Sequence, residues 1–270
     1  MPPFPLPPLK PCRFLRRRNR FLVEADVGPL HLANSGRMGE LLLPGAPCFY
    51  HPHPAPKTLG RVLLVESQGV LVGVDATLAN RLLEILLREG RFGPLEALEK
   101  EVRLGGERLD FRARLGGNEA LLEAKNCNRV EARPRAEVGK PSDRTGRKGA
   151  TQGLWGTSAS AQAATGYLAL FPDAPTARGA RHLRLLAGFA RGGGLAYAVW
   201  FVQHPLAQAF ALDPEDRALF QAAKEAEAAG VRLLAYRVRP ALEALHLEGE
   251  LPWVWLPAQE NLEGHHQGHG

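Results

Sequence analysis

Cysteine is scarce: Cys12, Cys48 and Cys127 are the only three in 270 residues. An odd number at such wide spacing fits neither a disulfide framework nor a zinc knuckle, and a reducing cytosol is the reading that follows. Long apolar runs are also missing. No stretch approaches the roughly 20 residues that a membrane-spanning helix needs, and the opening MPPFPLPPLKP lacks the apolar core of a signal peptide, so a cytoplasmic protein without a membrane partner is expected. Internal repeats are absent too, which leaves no solenoid to consider. What the chain does have is 45% hydrophobic residues, enough for one large or two modest domains. Its formal net charge is +6, with arginine far outnumbering lysine among the 34 basic residues. An anionic partner such as nucleic acid is a fair expectation; a basic but inert surface would give the same charge.

Residues 1–12 read as a disordered, proline-rich tail. From Arg13 to about Val74, short strand-like runs (RFLVEADV, PLHLAN, GRVLLVES, GVLVGV) are broken by turn residues, the pattern of a small β-barrel or sandwich over 13–75. The period then changes. DATLANRLLEILLREG sets Leu78, Leu82, Ile85 and Leu86 on one helical face, with Asp75 as cap and Gly90 as stop. Strands in EVRLG, ERLDFRARL and EALLEAKN follow, then a helix over about 174–191 and the apolar strand LAYAVWFVQ. A helix with Asp213 as cap, Pro214 at its first position and Gly230 as stop, and a last strand VRLLAYRV, complete an α-β-β-β-α-β-α-β order. That order describes a mixed α/β layer fold over 76–240.

Two segments stand apart. Residues 131–165, rich in Gly, Ser, Pro, Thr and Arg, read as a mobile basic insertion, and its part up to 150 holds half of the formal net charge. Residues 241–270 read as an extension whose His265, His266 and His269 make a flexible tail more readily than a metal grip.

The densest chemistry lies in RLDFRARLGGNEALLEAK, residues 108–125. If Gly116 and Gly117 form a two-residue hairpin turn, Asp110 faces Glu123 across antiparallel strands. Leu109, Phe111 and Ala113 then share an apolar face with Ala120, Leu122 and Ala124, while Arg112 and Arg114 share the other with Asp110. Opposed carboxylates repel unless a cation binds or one of them is protonated, and a hard divalent ion, Mg²⁺ or Mn²⁺, suits such a pair. Lys125 falls on the face of Glu123, placed to orient a metal-bound water or to stabilise charge on a phosphate. This is a phosphodiester-hydrolysis site in outline; a solvated strand face would explain the same three residues.

Several further stretches make a resemblance specific: NSGRMGELLLPG, DATLANRLL, ERLDF, LEAK, FPDAPTARGARHL, VWFVQHP and AEAAGVRLLAYRV, in order. Over roughly residues 13–240 the chain resembles the sugar fermentation stimulation protein A family. The resemblance implies an α+β, two-domain protein: an N-terminal OB-like β-barrel, then a mixed-sheet domain similar to the PD-(D/E)xK nucleases, whose motif maps onto Asp110, Glu123 and Lys125. It also implies DNA binding and a link to regulation of sugar utilisation, with nuclease activity suggested by fold. The insertion at 131–165, and Ala124 where Val is usual, depart from the family pattern.

Supporting groups are weighed against plainer roles. Arg178 and His182, four apart on one helix, match a polar pair that supports the site in related nucleases; an exposed polar face would look the same. Arg16, Arg17, Arg18 and Arg20, flanked by Phe14 and Phe21, resemble the cations and stacking rings of single-strand binders, or a charged strand edge. Arg37, in the turn Asn34-Ser35-Gly36-Arg37, joins them as a nucleic-acid candidate, although capping and interdomain packing explain that turn and Asn80-Arg81 as well. Cys127 reads as packing. Three functions remain: a DNA-binding, metal-dependent nuclease, a non-catalytic nucleic-acid-binding regulator, and an interaction module whose carboxylate pair is structural.

Overall fold

The computed structural model describes residues 1–139 and 165–258. The two turn-rich ends of the chain's first third close on each other. Strands β1 (Phe4–Pro5), β2 (Lys10–Asn19), β3 (Leu22–Ala25), β4 (Gly28–His31), β5 (Pro47–Ala55), β6 (Thr58–Ser67) and β7 (Val70–Gly73) open the chain. β2 to β6 form a five-stranded barrel in the order β4-β3-β2-β5-β6, closed where His31 of β4 meets Arg61 of β6; β7 adds to β6 as a hairpin. Alternate residues such as Phe14, Val23, Leu30, Val62 and Val65 fill the interior. This is the expected OB-like barrel. Cys12 and Cys48 are opposite each other in β2 and β5 and are joined as a disulfide, Cα atoms 5.0 Å apart. The cysteine expectation is therefore corrected: the two residues lie 36 apart in sequence, and only closure of the barrel brings them together.

Helix α1 (Leu78–Arg88) follows at the predicted place, burying Leu78, Leu82, Leu83, Leu86 and Leu87. Strands β8 (Leu95–Leu104), β9 (Glu107–Leu115) and β10 (Asn118–Cys127) come next. After β11 (Val130–Pro134), the short helix α2 (Arg135–Val138) and β12 (Thr165–Phe171), the chain runs through α3 (Ala177–Arg191), β13 (Leu195–Val202), β14 (Ala209–Leu212) and α4 (Arg217–Ala228). It ends in β15 (Arg232–Pro240), β16 (Ala244–Glu250) and β17 (Trp253–Val254). The main sheet has the order β1-β16-β15-β13-β10-β9-β8, parallel at its centre and antiparallel at both edges. β13, flanked on both sides, is buried along almost its whole length, as a central strand of this composition should be. α1 covers one face; α3 and α4 cover the other. A second sheet, β11-β12-β14-β17, packs beside them.

Several boundaries differ from expectation. Residues 1–12 are not a loose tail: Phe4 and Pro5 pair with Leu245 and Ala244 of β16. Residues 241–258 supply two strands, so VRLLAYRV is not the last strand and the C-terminal extension is part of the domain. The supposed insertion contributes β11, α2 and the first residue of β12; residues 140–164 and the histidines of the tail lie outside the described residues. α4 is capped by Asp216, which accepts Leu219 N–H at 3.1 Å, and not by Asp213, which begins the strand-to-helix turn and accepts Glu215 N–H instead. α1 begins after Thr77; the Asp75 carboxylate accepts Thr77 N–H and pairs with Arg61.

The two domains are joined by hydrogen bonds through Gln203, just past β13. Its N–H donates to Cys127 O (2.8 Å), its carbonyl accepts Gly73 N–H (2.9 Å), and its side-chain amide donates to Asp75 O (2.9 Å) and Asn126 Oδ1 (2.7 Å). No described helix is long and apolar enough to cross a membrane.

Candidate active site

Gly116 and Gly117 both have positive φ, 54° and 82°, the conformation that a two-residue hairpin turn requires, and the β9–β10 register is the predicted one from Asn118↔Leu115 to Leu122↔Phe111. There the backbone ladder stops and side chains take over. Asp110 N–H donates to Glu123 Oε2 (3.0 Å), and Ala124 N–H donates to Asp110 Oδ2 (2.8 Å). Each carboxylate thus fills the backbone position vacated by the other strand. β9 also turns over at this point. Leu109 packs in the core beneath α3 and Phe111 in the core beneath α1, so the single apolar face expected for Leu109, Phe111 and Ala113 is corrected.

The structure brings Asp110, Glu123 and Lys125 together with His182. Lys125 Nζ lies 3.2 Å from Glu123 Oε1 and 3.3 Å from His182 Nδ1, and His182 Nδ1 lies 2.8 Å from Glu123 Oε1. Arg178, one turn before His182 on α3, donates to His182 Nε2 at 3.4 Å. The polar pair therefore reaches the site. Two more residues complete it. Asn80, in the first turn of α1, donates to Asp110 Oδ1 at 2.8 Å, a role beyond the capping or packing that its sequence position suggests. Glu107 lies 3.4 Å from His182 Nε2 and is itself held by Arg181 at 2.5 Å, a contact across 74 residues that carries no sequence signal.

Burial, with the charge of Glu123 added, pushes the Asp110 carboxyl up to about 6, against the opposing hydrogen bonds from Ala124 and Asn80. Burial also acts to raise Glu123, but His182 and Lys125 prevail and hold it down at about 2. The sign of each shift fixes a pH dependence. Asp110 in the folded chain keeps a proton that the unfolded chain releases near 3.8, so its contribution to stability is full below that value and is lost as pH rises through about 6. Glu123 contributes fully above 4.5 and loses that contribution as pH falls through about 2. Thermal unfolding of the ion-free protein should therefore show stability declining by about 2 kcal/mol between roughly pH 4 and 7, with Asp110→Asn removing the decline. Parallel pH profiles for the two proteins would contradict it.

Cys127, raised to about 12 by burial, packs as expected, with its Sγ 3.4 Å from Leu170 O. The arginines divide. Arg17 donates to four carbonyls, those of Arg20, Asn34, Gly36 and Arg37, at 2.6 to 3.0 Å, and so holds the turn at 34–37 in place. Arg16 and Arg18 both pair with Glu24. Phe14 is in the barrel core. Arg37 lines a separate cavity with Asp173 and Arg217. Arg20 lines the cleft between the domains, about 590 Å³, together with Phe21, Lys125 and Arg178.

Known proteins share the two-domain organisation. Residues 15–74 match the family described as the SfsA N-terminal OB domain, and residues 158–244 match the one described as the sugar fermentation stimulation protein RE domain. A sugar fermentation stimulation protein homolog from Chloroflexus aurantiacus is 34% identical over 255 residues, covering 91% of this chain and 85% of the relative. The homolog from Symbiobacterium thermophilum is 33% identical over 259 residues, covering 88% and 92%. Among solved structures, that of Pyrococcus furiosus SfsA in complex with Ca²⁺ superimposes with a TM-score of 0.74 at 26% identity, covering 94% of this chain and 99% of that one.

Proposed function

Since this chain belongs to the sugar fermentation stimulation protein family, we propose that it is a DNA-binding protein whose C-terminal domain, similar to the PD-(D/E)xK nucleases, hydrolyses phosphodiesters with a divalent ion, Mg²⁺ or Mn²⁺. The observation that carries this is the convergence of Asp110, Glu123, Lys125 and His182 at the point where β9 and β10 part, opening on a cleft that Arg20 and Arg178 also line.

The residues fit an ion of this kind. Asp110 and Glu123 offer hard oxygen donors, and the Asp110 carboxyl, raised to about 6 by burial first and by the charge of Glu123 second, would be held ionised by a bound cation. The Ca²⁺ in the Pyrococcus furiosus relative accords with it. Among the described residues no group of three or more His, Cys, Asp or Glu side chains forms a ready-made cage. The pair would therefore hold an ion that keeps positions for water and phosphate oxygens, as Mg²⁺ does. When bound, such an ion supplies an activated water and neutralises phosphate charge. In this chain Lys125 presents an ammonium to the developing charge, His182 fixes Glu123 and Lys125 relative to each other, Asn80 orients Asp110, and Arg178 faces the incoming phosphate.

A second reading has its own support. Every oxygen of the two carboxylates already has a partner within the protein, so the cluster is satisfied without an ion, as it would be in a nucleic-acid-binding regulator of sugar metabolism that keeps the fold and has no chemistry. The deciding experiment is incubation of purified protein with single-stranded, duplex and branched DNA and with RNA, in Mg²⁺, Mn²⁺ or EDTA. Cleavage that depends on the ion is expected. No cleavage on any substrate, together with no heat of ion binding by calorimetry, leaves the regulator. Under either reading DNA affinity should fall steeply with salt, close to one unit of log-log slope per phosphate contact; a flat dependence would remove the basic-surface argument.

A further inference from the structure

We propose that the interdomain cleft takes an unpaired nucleic-acid strand, with one base stacked on Phe21; this rests on the nucleic-acid reading above. Arg20 and Phe21 form the turn between β2 and β3, which is the first interstrand loop of the barrel and one of the places from which OB folds bind oligonucleotides. Phe21 is 48% exposed, unusual for so large an apolar ring, and it is held in place: its N–H donates to Asn19 Oδ1 at 2.9 Å, and its ring lies 6.4 Å from that of His31 at the end of β4. Lys125 and Arg178 belong to the same cleft from the side of the other domain.

The recess decides between strand and duplex. Glu123 is only 4% exposed and the Lys125 side chain 14%, so a scissile phosphate must come down to them. A cleft of about 590 Å³ is on the scale of a small-ligand site and admits a nucleotide or two. Paired bases must first leave their own stack, at a cost of a few kcal/mol, before one can turn onto a protein ring. A free strand can set one base on Phe21 while its phosphates pass Arg20 towards Arg178 and Lys125.

The test is fluorescence anisotropy in EDTA with a labelled oligo-dT strand and with a duplex of the same length, on wild type, Phe21→Ala and Phe21→Trp. Circular dichroism checks that each is folded. Wild type should prefer the single strand; Phe21→Ala should weaken single-strand binding by about tenfold, bringing the two affinities together, and Phe21→Trp should restore the preference. Equal affinity of wild type for both forms, or equal loss on both forms in Phe21→Ala, overturns the proposal and leaves nucleic-acid binding intact. Failure of wild type to bind either form overturns both.

Discussion

Glu123→Gln should lower ion-dependent cleavage by about a thousandfold or more, with DNA affinity unchanged or higher. Glu123 Oε1 receives both Lys125 and His182, and Oε2 accepts the Asp110 amide, so one carboxylate sets the position of three other groups. The amide keeps the shape and the filled space, and its single carbonyl oxygen can accept either the Asp110 N–H or the Lys125 ammonium but not both, which makes it a milder probe than alanine. Glu123→Ala would leave the Lys125 ammonium, largely buried, without its partner, and part of any loss of rate would then be loss of fold. Affinity is not expected to fall, because removing a negative charge beside a phosphate path lessens repulsion. Cleavage at the wild-type rate by folded Glu123→Gln, in either Mg²⁺ or Mn²⁺, would sink the assignment of this site.

The second large effect lies away from the chemistry. A Cβ added at Gly73 would come within 2.6 Å of Gln203 Cδ and 2.8 Å of its Cβ, distances that real contacts do not reach. Gln203 cannot swing aside cheaply, since its amide bonds to Asp75 O and Asn126 Oδ1 and its backbone is tied to Cys127 and Gly73. Gly73→Val should therefore cost about 3 kcal/mol of stability, from overpacking and from the hydrogen bonds displaced with it. Chemical denaturation checks the value. A shift of less than about 0.5 kcal/mol would mean that the joint yields easily and that the walls of the cleft are not rigidly set.

The hairpin at 108–125 was legible because its signals are local: two glycines that tolerate positive φ, and a period of two on either side. Arg178 and His182 were legible for the same reason, four residues apart on one helix. What the sequence concealed depends on distant neighbours. Asn80 reaches Asp110 only once α1 lies on the sheet, and Glu107 meets His182 only once α3 lies on the other face. The roll of β9 that parts Leu109 from Phe111 follows from the side chains that replace the ladder at Asp110, which periodicity cannot register. The strands of the second sheet are short, and two of them flank a segment whose composition reads as loop, while the Cys12–Cys48 pair depends on barrel closure. Arg17, one of a run of three arginines, shows that a cation's role is set by what surrounds it: four carbonyls claim its guanidinium.

The pairing of β1 with β16 changes what counts as a separable piece of this protein. Phe4 and Leu6 pack against the core beneath α1, and Leu6 N–H donates to Glu243 O at 2.9 Å, so the chain starts in the C-terminal domain, leaves to build the barrel and returns. The barrel is thus a topological insertion hung on two tethers, residues 7–9 and 74–77, and swivelling about a single linker is denied to it. Cutting the chain at residue 76 to isolate the C-terminal domain would strip an edge strand from the main sheet. A faithful excision keeps residues 1–9 and splices them to 74 through a short flexible bridge.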